Sequence, residues 1–284
     1  MPNNPFQDRN PKIKANPKLR LPQQEAYAAL SDFAVIANDE REAGIVLPVG
    51  CGKSGCITLA PFAFRSHRTL VVAPGVKIAE QLNRDFDPSQ PDMFFIKCGV
   101  LEDPPFPEPV YLRGTLANRS DLDEAHVVIT NIQQLQGQQN KWLSSLPDDY
   151  FELILFDEGH HSVAETYERL RLKFPEARIV NFSATPRRAD GQLMSGRMLY
   201  SFPISRAIQD GYVKRLKALV LNPQTLKYVR REDGEEIEVT LDEVRRLGEE
   251  EADFRRSIVT SKETLNTVTF RKGVTPWLPF RRLG

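Results

Sequence analysis

Two short stretches of this sequence carry residue types that together handle a polyphosphate. The first, LPVGCGKSG, sets Gly50, Cys51, Gly52, Lys53, Ser54 and Gly55 between an apolar run and a helical pattern. Glycines let successive backbone N–H groups turn toward phosphate oxygens, and the following helix adds the positive end of its dipole. In such a loop Lys53 neutralises the outer phosphates and Ser54 offers a hydroxyl to Mg²⁺. The bland alternative is a glycine turn before a helix with an incidental lysine. The second stretch, ELILFDEGHH, is an apolar run ending in Asp157 and Glu158, with His160 and His161 just beyond. Ligands of open α/β sheets gather at the carboxyl ends of strands. There Asp157 holds Mg²⁺ through water while Glu158 orients or deprotonates the water that attacks a γ-phosphate. Taken alone, an acidic pair after a strand is more often a solvated loop.

These residues need strands to present them, and the sequence supplies a repeating theme of short apolar run, turn and helical pattern. The runs lie at residues 44–47, 69–73, 126–130, 153–156 and 178–182, with helical patterns directly after Lys53 and Val76. Runs that are apolar throughout suit strands of a parallel sheet covered on both faces. Ahead of them, Ala26, Leu30, Phe33 and Ala37 recur at helical spacing, which predicts an amphipathic helix beginning near Pro22. Residues 1–17, rich in proline and asparagine and without periodicity, are expected to form a disordered or loosely docked tail. After Pro186 the pattern changes to a strand, LKALVLNP, and a β-hairpin formed by KYVRRE and EEIEVT around Asp233 and Gly234. A charged helical stretch, LDEVRRLGEEEADFRR, follows. The expected organisation is therefore a tail at 1–17, an α/β domain at 18–215, and an appendage at 216–284.

Composition adds bounds. The 284 residues are 40% hydrophobic and 27% charged, the balance of a folded globular chain. The 38 basic and 38 acidic residues cancel, so attraction to a polyanion has to come from a local surface. RSHR at 65–68 and Arg187 with Arg188 are candidate phosphate contacts, or else solvated faces. No apolar run approaches the roughly 18 residues of a membrane span, and the polar N-terminus has no signal-peptide core. Three cysteines, Cys51, Cys56 and Cys98, lack the spacing of a metal site or a disulfide framework. A cytoplasmic protein with no membrane partner is the expectation.

Taken in order, these motifs resemble those of the superfamily 2 helicases, especially the DExH-box group that includes restriction-enzyme motor subunits. LRLPQ resembles the upstream segment whose glutamine reads adenine, which implies a base-binding role for Gln23 with Arg20 beside it. LPVGCGKS resembles motif I, in which the family tolerates a residue such as Leu47 where a strict GxxxxGK[ST] pattern has glycine. VVAPG, with Pro74 and Gly75, resembles motif Ia, and VITN, with Thr130 and Asn131, resembles motif Ib; both imply contact with a nucleic-acid backbone. DEGH resembles motif II and ends in His160, while SATPRR, with Ser183, Ala184 and Thr185, resembles motif III, which couples ATP state to strand binding. The resemblance spans residues 19–215 and implies a RecA-like P-loop domain using ATP and Mg²⁺. Its implied partner is nucleic acid, with DNA placed ahead of RNA, although backbone contacts position a strand without specifying it.

Motors of this superfamily have two RecA-like domains, and arginine fingers of the second complete the site. No Q-x-x-G-R-x-x-R pattern occurs between Leu216 and Gly284, which suggests a chain ending at the entry to a second domain, with arginines supplied by another domain or subunit. Two other classes stay open at this point. One is a different P-loop enzyme, such as a kinase or nucleotide switch, and the other is a non-catalytic module binding a strand or protein.

Overall fold

The computed structural model describes residues 4–36, 40–113, 118–135, 141–158, 164–185 and 196–214, together with the backbone of 225–229 and 236–240. The chain divides into two compact units, Met1–Arg215 and Leu216–Gly284.

In the first unit the elements run α1 (Pro5–Asp8), α2 (Leu21–Val35), β1 (Glu42–Val46), α3 (Lys53–Phe64), β2 (Thr69–Ala73), α4 (Val76–Phe86), α5 (Phe94–Lys97) and β3 (Pro109–Tyr111). They continue with α6 (Arg119–Glu124), β4 (Val127–Asn131), α7 (Ile132–Leu135), α8 (Lys141–Ser144), β5 (Leu153–Asp157), α9 (Ala164–Lys173), β6 (Arg178–Ser183), β7 (Arg197–Ser201) and α10 (Ile204–Gln209). Seven strands form one sheet in the order β3-β4-β2-β5-β6-β1-β7, and every pairing is parallel. All seven carboxyl ends therefore lie along one edge. The expected α/β architecture is present, and it is RecA-like in form.

Each inner strand sends alternate side chains to opposite faces, and both faces are covered. Val71, Leu155, Val180 and Phe182 join one core with Leu30, Ile57 and Leu82 of the helices. Leu70, Val72, Ile154, Phe156 and Ile179 join the other with Leu122, Leu143 and Leu170. This two-sided burial is why the five predicted strands read as unbroken apolar runs. The two edge strands escape that signature. β3 is short and opens on a proline, and no side chain of β7 is buried, three of its five being exposed.

The expected disordered or loosely docked tail is corrected by the structure over residues 4–17. Asn4 caps α1 by accepting from the Phe6 N–H at 3.0 Å, and its amide donates to the His67 carbonyl at 2.8 Å. Phe6 is 1% exposed and meets Phe62 edge to face at 4.8 Å. Ile13 is buried as well, and Asn16 donates to the carbonyls of Lys12 and Cys98. The segment is polar by composition but places Phe6 and Ile13 in the core and caps its own turns.

The RSHR cluster precedes β2 and thus lies at the amino edge of the sheet, away from the strands' carboxyl ends. Arg65 bonds the Gln7 carbonyl, and Arg68 donates to the carbonyls of Ala125 and Asp123 while lying 4.1 Å over the Tyr150 ring. Both arginines are engaged in holding the fold, which corrects the phosphate-contact expectation. Arg187 and Arg188 lie outside the described residues. Among the described residues no helix is long and apolar enough to cross a membrane.

In the second unit β8 (Thr225–Val229) and β9 (Glu236–Thr240) pair antiparallel from Thr225 opposite Thr240 to Val229 opposite Glu236. The expected hairpin is formed. The predicted strand before it and the charged helical stretch after it lie outside the described residues.

Candidate functional site

The site is assembled by three neighbouring strands. β1 leads into the glycine loop and β5 ends in Asp157, while β6 runs between them with Val46 opposite Ser183 and Phe182 opposite Asp157. Two further bonds extend this ladder past the strand ends, Leu47 N–H to Ser183 O at 2.9 Å and Glu158 N–H to Phe182 O at 2.8 Å. Motifs far apart in sequence thus converge on one edge because parallel pairing aligns their strand ends.

In the loop Gly50 and Gly52 have φ of 93° and 91°, which a residue with a Cβ adopts at a steric cost. At Gly52 the added carbon would lie 2.6 Å from Gln23 Nε2, so glycine is required twice over. Gly52 caps α3, whose first residue is Lys53. The Lys53 ammonium lies 3.0 Å from Asp157 Oδ1 and also pairs with Glu158 Oε1. The lysine side chain is 16% exposed and Asp157 8%, so this is a largely desolvated cluster of one cation between two carboxylates. Asp157 Oδ1 is buried and makes no hydrogen bond among the described residues, and the Lys53 ammonium beside it balances its charge. Glu158, just past the end of β5, has a left-handed φ of 56°, unusual away from glycine and the kind of outlier found at functional sites. The Ser183 hydroxyl donates to Glu158 Oε2 at 3.3 Å and accepts from the Thr185 N–H at 3.2 Å. Ser183 is therefore tied to both acidic and glycine-loop segments, Ala184 is half-buried beside it and Thr185 is exposed.

On the other side of the loop, Gln23 is buried in the first turn of α2 and does not lie on the surface. Its Nε2 donates to the Gly52 carbonyl at 3.0 Å and its Oε1 accepts from the Arg20 N–H at 2.9 Å. A Cβ on Gly55 would collide with Gln23 Nε2 and lie 2.8 Å from Phe94. Gly55 is thus the position that lets α2 and α5 approach α3. Cys51 is buried, and burial pushes its thiol pKa up against the lowering pull of Arg20. Ser54 is half-buried at the start of α3.

Pro74 and Gly75 follow β2 on the same edge, and Gly75 is open and extended, so nothing steric demands glycine there. Gln133 Nε2 donates to the Pro74 carbonyl at 3.1 Å, which joins the segments after β2 and β4. Thr130 and Asn131 are buried, and Asn131 Oδ1 accepts from the Gln134 N–H at 3.2 Å. The Asn131 side chain thus serves the start of α7, while the Thr130 hydroxyl is buried without a hydrogen bond among the described residues. His160 lies outside the described residues. Sequence reasoning gave no site role to Phe94 or to Tyr212, although the ISRAIQDGYVKR stretch that holds Tyr212 falls within the family resemblance; both reach the loop through tertiary packing.

The fold and this edge define a P-loop α/β nucleotide domain. The profile of the family described as "Type III restriction enzyme, res subunit" matches residues 16–188, well over half of the chain and all of the site above. The chain belongs to that family, and the superfamily 2 motor-domain resemblance drawn from its motifs holds. Solved structures with a similar fold include the UvsW helicase of bacteriophage T4, with 16% identity, a TM-score of 0.41, and coverage of 64% of this chain and 59% of that one. Another is the Hef helicase domain of Pyrococcus furiosus, at 22% identity and TM-score 0.42, covering 59% of this chain and 33% of that one. A third is the SWI2/SNF2 ATPase core of Sulfolobus solfataricus, at 15% identity and TM-score 0.41, covering 63% and 34%. This chain thus spans about three fifths of the first and a third of the other two. A comparison with curated proteins finds no match.

Proposed function

We propose that this chain binds and hydrolyses Mg-ATP as the motor domain of a DEAD/DEAH-type helicase or translocase acting on DNA. The observation that carries the reading is the Lys53 ammonium held between Asp157 and Glu158 beneath a loop whose Gly52 is gripped by Gln23. The donor set fits Mg²⁺ and a triphosphate: Asp157 has a buried oxygen without a hydrogen bond among the described residues, and Gly50 and Gly52 form a cradle that a Cβ would fill. Asp157 and Ser54 would hold the metal, which supplies charge neutralisation for the phosphates when bound. Lys53 exchanges its carboxylate partners for phosphate oxygens, Glu158 is freed to orient the attacking water, and Ser183 keeps Glu158 aligned. Gln23 and Arg20 take the adenine.

Membership in a restriction-enzyme family favours DNA over RNA, and Pro74, Gly75 and the main chain at Thr130 and Asn131 are the proposed contacts. Arginine fingers from a second motor domain or subunit complete the site in this reading, and are worth about 10³ to 10⁵ in turnover. The thiols of Cys51, Cys56 and Cys98 are free, which suits the reducing cytoplasm as its location.

The test is Mg-ATP turnover with and without single-stranded DNA, duplex DNA and RNA, beside Lys53→Ala and Glu158→Gln. Stimulation by DNA that both substitutions abolish is expected. Turnover indifferent to every nucleic acid would instead favour a P-loop enzyme with a small-molecule substrate, and unchanged ATP binding in Lys53→Ala would refute the site.

A further inference from the structure

The last helix of the first unit returns the chain to the nucleotide loop, and the residue that arrives there is an aromatic one. Tyr212 follows α10 and is half-buried, with its ring 6.0 Å from that of Phe202. Three parts of the pocket converge on it. Its hydroxyl accepts from the Leu21 N–H at 3.3 Å, one of the amide groups at the start of α2 that no helical carbonyl can satisfy. Its ring lies under the Arg20 guanidinium, 5.6 Å from the centroid, within cation–π range. Its carbonyl oxygen sits 3.1 Å from where a Cβ on Gly50 would stand, so Tyr212 and the glycine loop are in backbone contact.

Of the two residues that Tyr212 touches at the start of α2, Arg20 is the one that also holds Gln23. Arg20 N–H donates to Gln23 Oε1, and Gln23 Nε2 in turn donates to the Gly52 carbonyl. Gln23 thus has its carboxamide fixed from both ends, and one of those ends is anchored to Tyr212.

We infer that Tyr212 is a positioning residue of the base pocket, which orients Arg20 and Gln23 toward the purine while its main chain bounds the glycine loop. The inference rests on the nucleotide reading above and adds to it a residue outside the phosphate-binding, acidic and glutamine motifs. Because the hydroxyl and ring act on the base-reading residues and not on Lys53, their loss changes recognition of the base more than recognition of the phosphates.

The experiment measures affinity of the full chain for ATP, GTP and inorganic tripolyphosphate in Tyr212→Phe and Tyr212→Leu, with Gln23→Ala and Lys53→Ala as references. Tyr212→Phe removes one hydrogen bond and keeps the ring, so ATP affinity should fall about two- to tenfold with tripolyphosphate unchanged. Tyr212→Leu should fall further, toward Gln23→Ala, with the ATP preference over GTP narrowed in step. An unchanged ATP-to-tripolyphosphate ratio in Tyr212→Phe overturns the inference even if Tyr212→Leu fails to fold. Parallel loss of ATP and tripolyphosphate also overturns it, since Tyr212 would then only support the loop. If the unaltered chain holds ATP no better than tripolyphosphate, or Lys53→Ala changes nothing, the nucleotide reading itself falls and the inference with it.

Discussion

Replacing Lys53 by methionine keeps the stem of the side chain and deletes its charge, which isolates what the ammonium does in the nucleotide-free protein. The lysine lies 3.0 Å from Asp157 Oδ1, where one pair at an effective dielectric of about 20 gives roughly 5 to 6 kcal/mol of gross attraction. Desolvation offsets much of that, but removing a single partner leaves charge uncompensated, at about 3 to 5 kcal/mol for a buried pair. Asp157 is 8% and Glu158 24% exposed, so water screens the remaining carboxylates in part, and a loss of about 2 to 4 kcal/mol is expected. For a unit of this size that corresponds to a fall of roughly 5 to 15 °C in the unfolding midpoint. Two additions sharpen the assay. Mg²⁺ should raise the midpoint of Lys53→Met more than that of the unaltered chain, because it replaces the missing cation. Glu158→Gln in the Lys53→Met background should recover stability, because one of two facing carboxylates is gone. A Lys53→Met midpoint equal to the unaltered chain's, insensitive to Mg²⁺, would refute the claim that the lysine neutralises this pair.

The remaining expectations are read in the same way. Gly52→Ala should lose about 1 to 3 kcal/mol of stability and most nucleotide affinity, since φ of 91° and Gln23 at 2.6 Å both oppose a Cβ, whereas Gly75→Ala should be neutral; denaturant unfolding of the two variants decides it. Phe6→Ala should cost about 3 to 5 kcal/mol by the same measurement, because its ring is buried against Phe62, while a free tail would give no change. His126 is held down to about 4 by burial, with help from His67 and Arg68, and its neutral Nδ1 accepts from the Glu108 N–H at 3.1 Å. Its folded pKa lies below its ordinary value, so its contribution is complete above about pH 6.5 and is lost as pH falls toward 4, by about 1 to 2 kcal/mol after solvent screening. His126→Gln should flatten that part of the stability profile, and an unchanged slope between pH 7 and 4.5 would refute it.

The sequence by itself determined the inner architecture and the chemistry of the loop. Strands buried on two faces must be apolar throughout, so β1, β2, β4, β5 and β6 were visible as runs, and the residues at their ends stood out by type. The edge strands β3 and β7 were not visible, because a strand with one free side has no such constraint. Nor was the packed N-terminal segment, whose few apolar residues carry no period and gain their burial only from Phe62 and the partners around it.

Only the tertiary structure decided how the motifs relate to one another. The role of Gln23 was legible only through the family resemblance until α2 met the glycine loop, and Gly55 and Phe94 matter because that approach leaves no room for another carbon. Thr130 and Asn131 looked available to a strand, yet the sheet buries them. Tyr212 shares no local pattern with Arg20 or Gly50, and its place beside both comes from the chain returning along β7 and α10. Residue type and local spacing specify elements and candidate chemistry, because they act through neighbours in sequence. Contacts between distant segments depend on which strands pair and in what register, and that is fixed by packing of the whole unit.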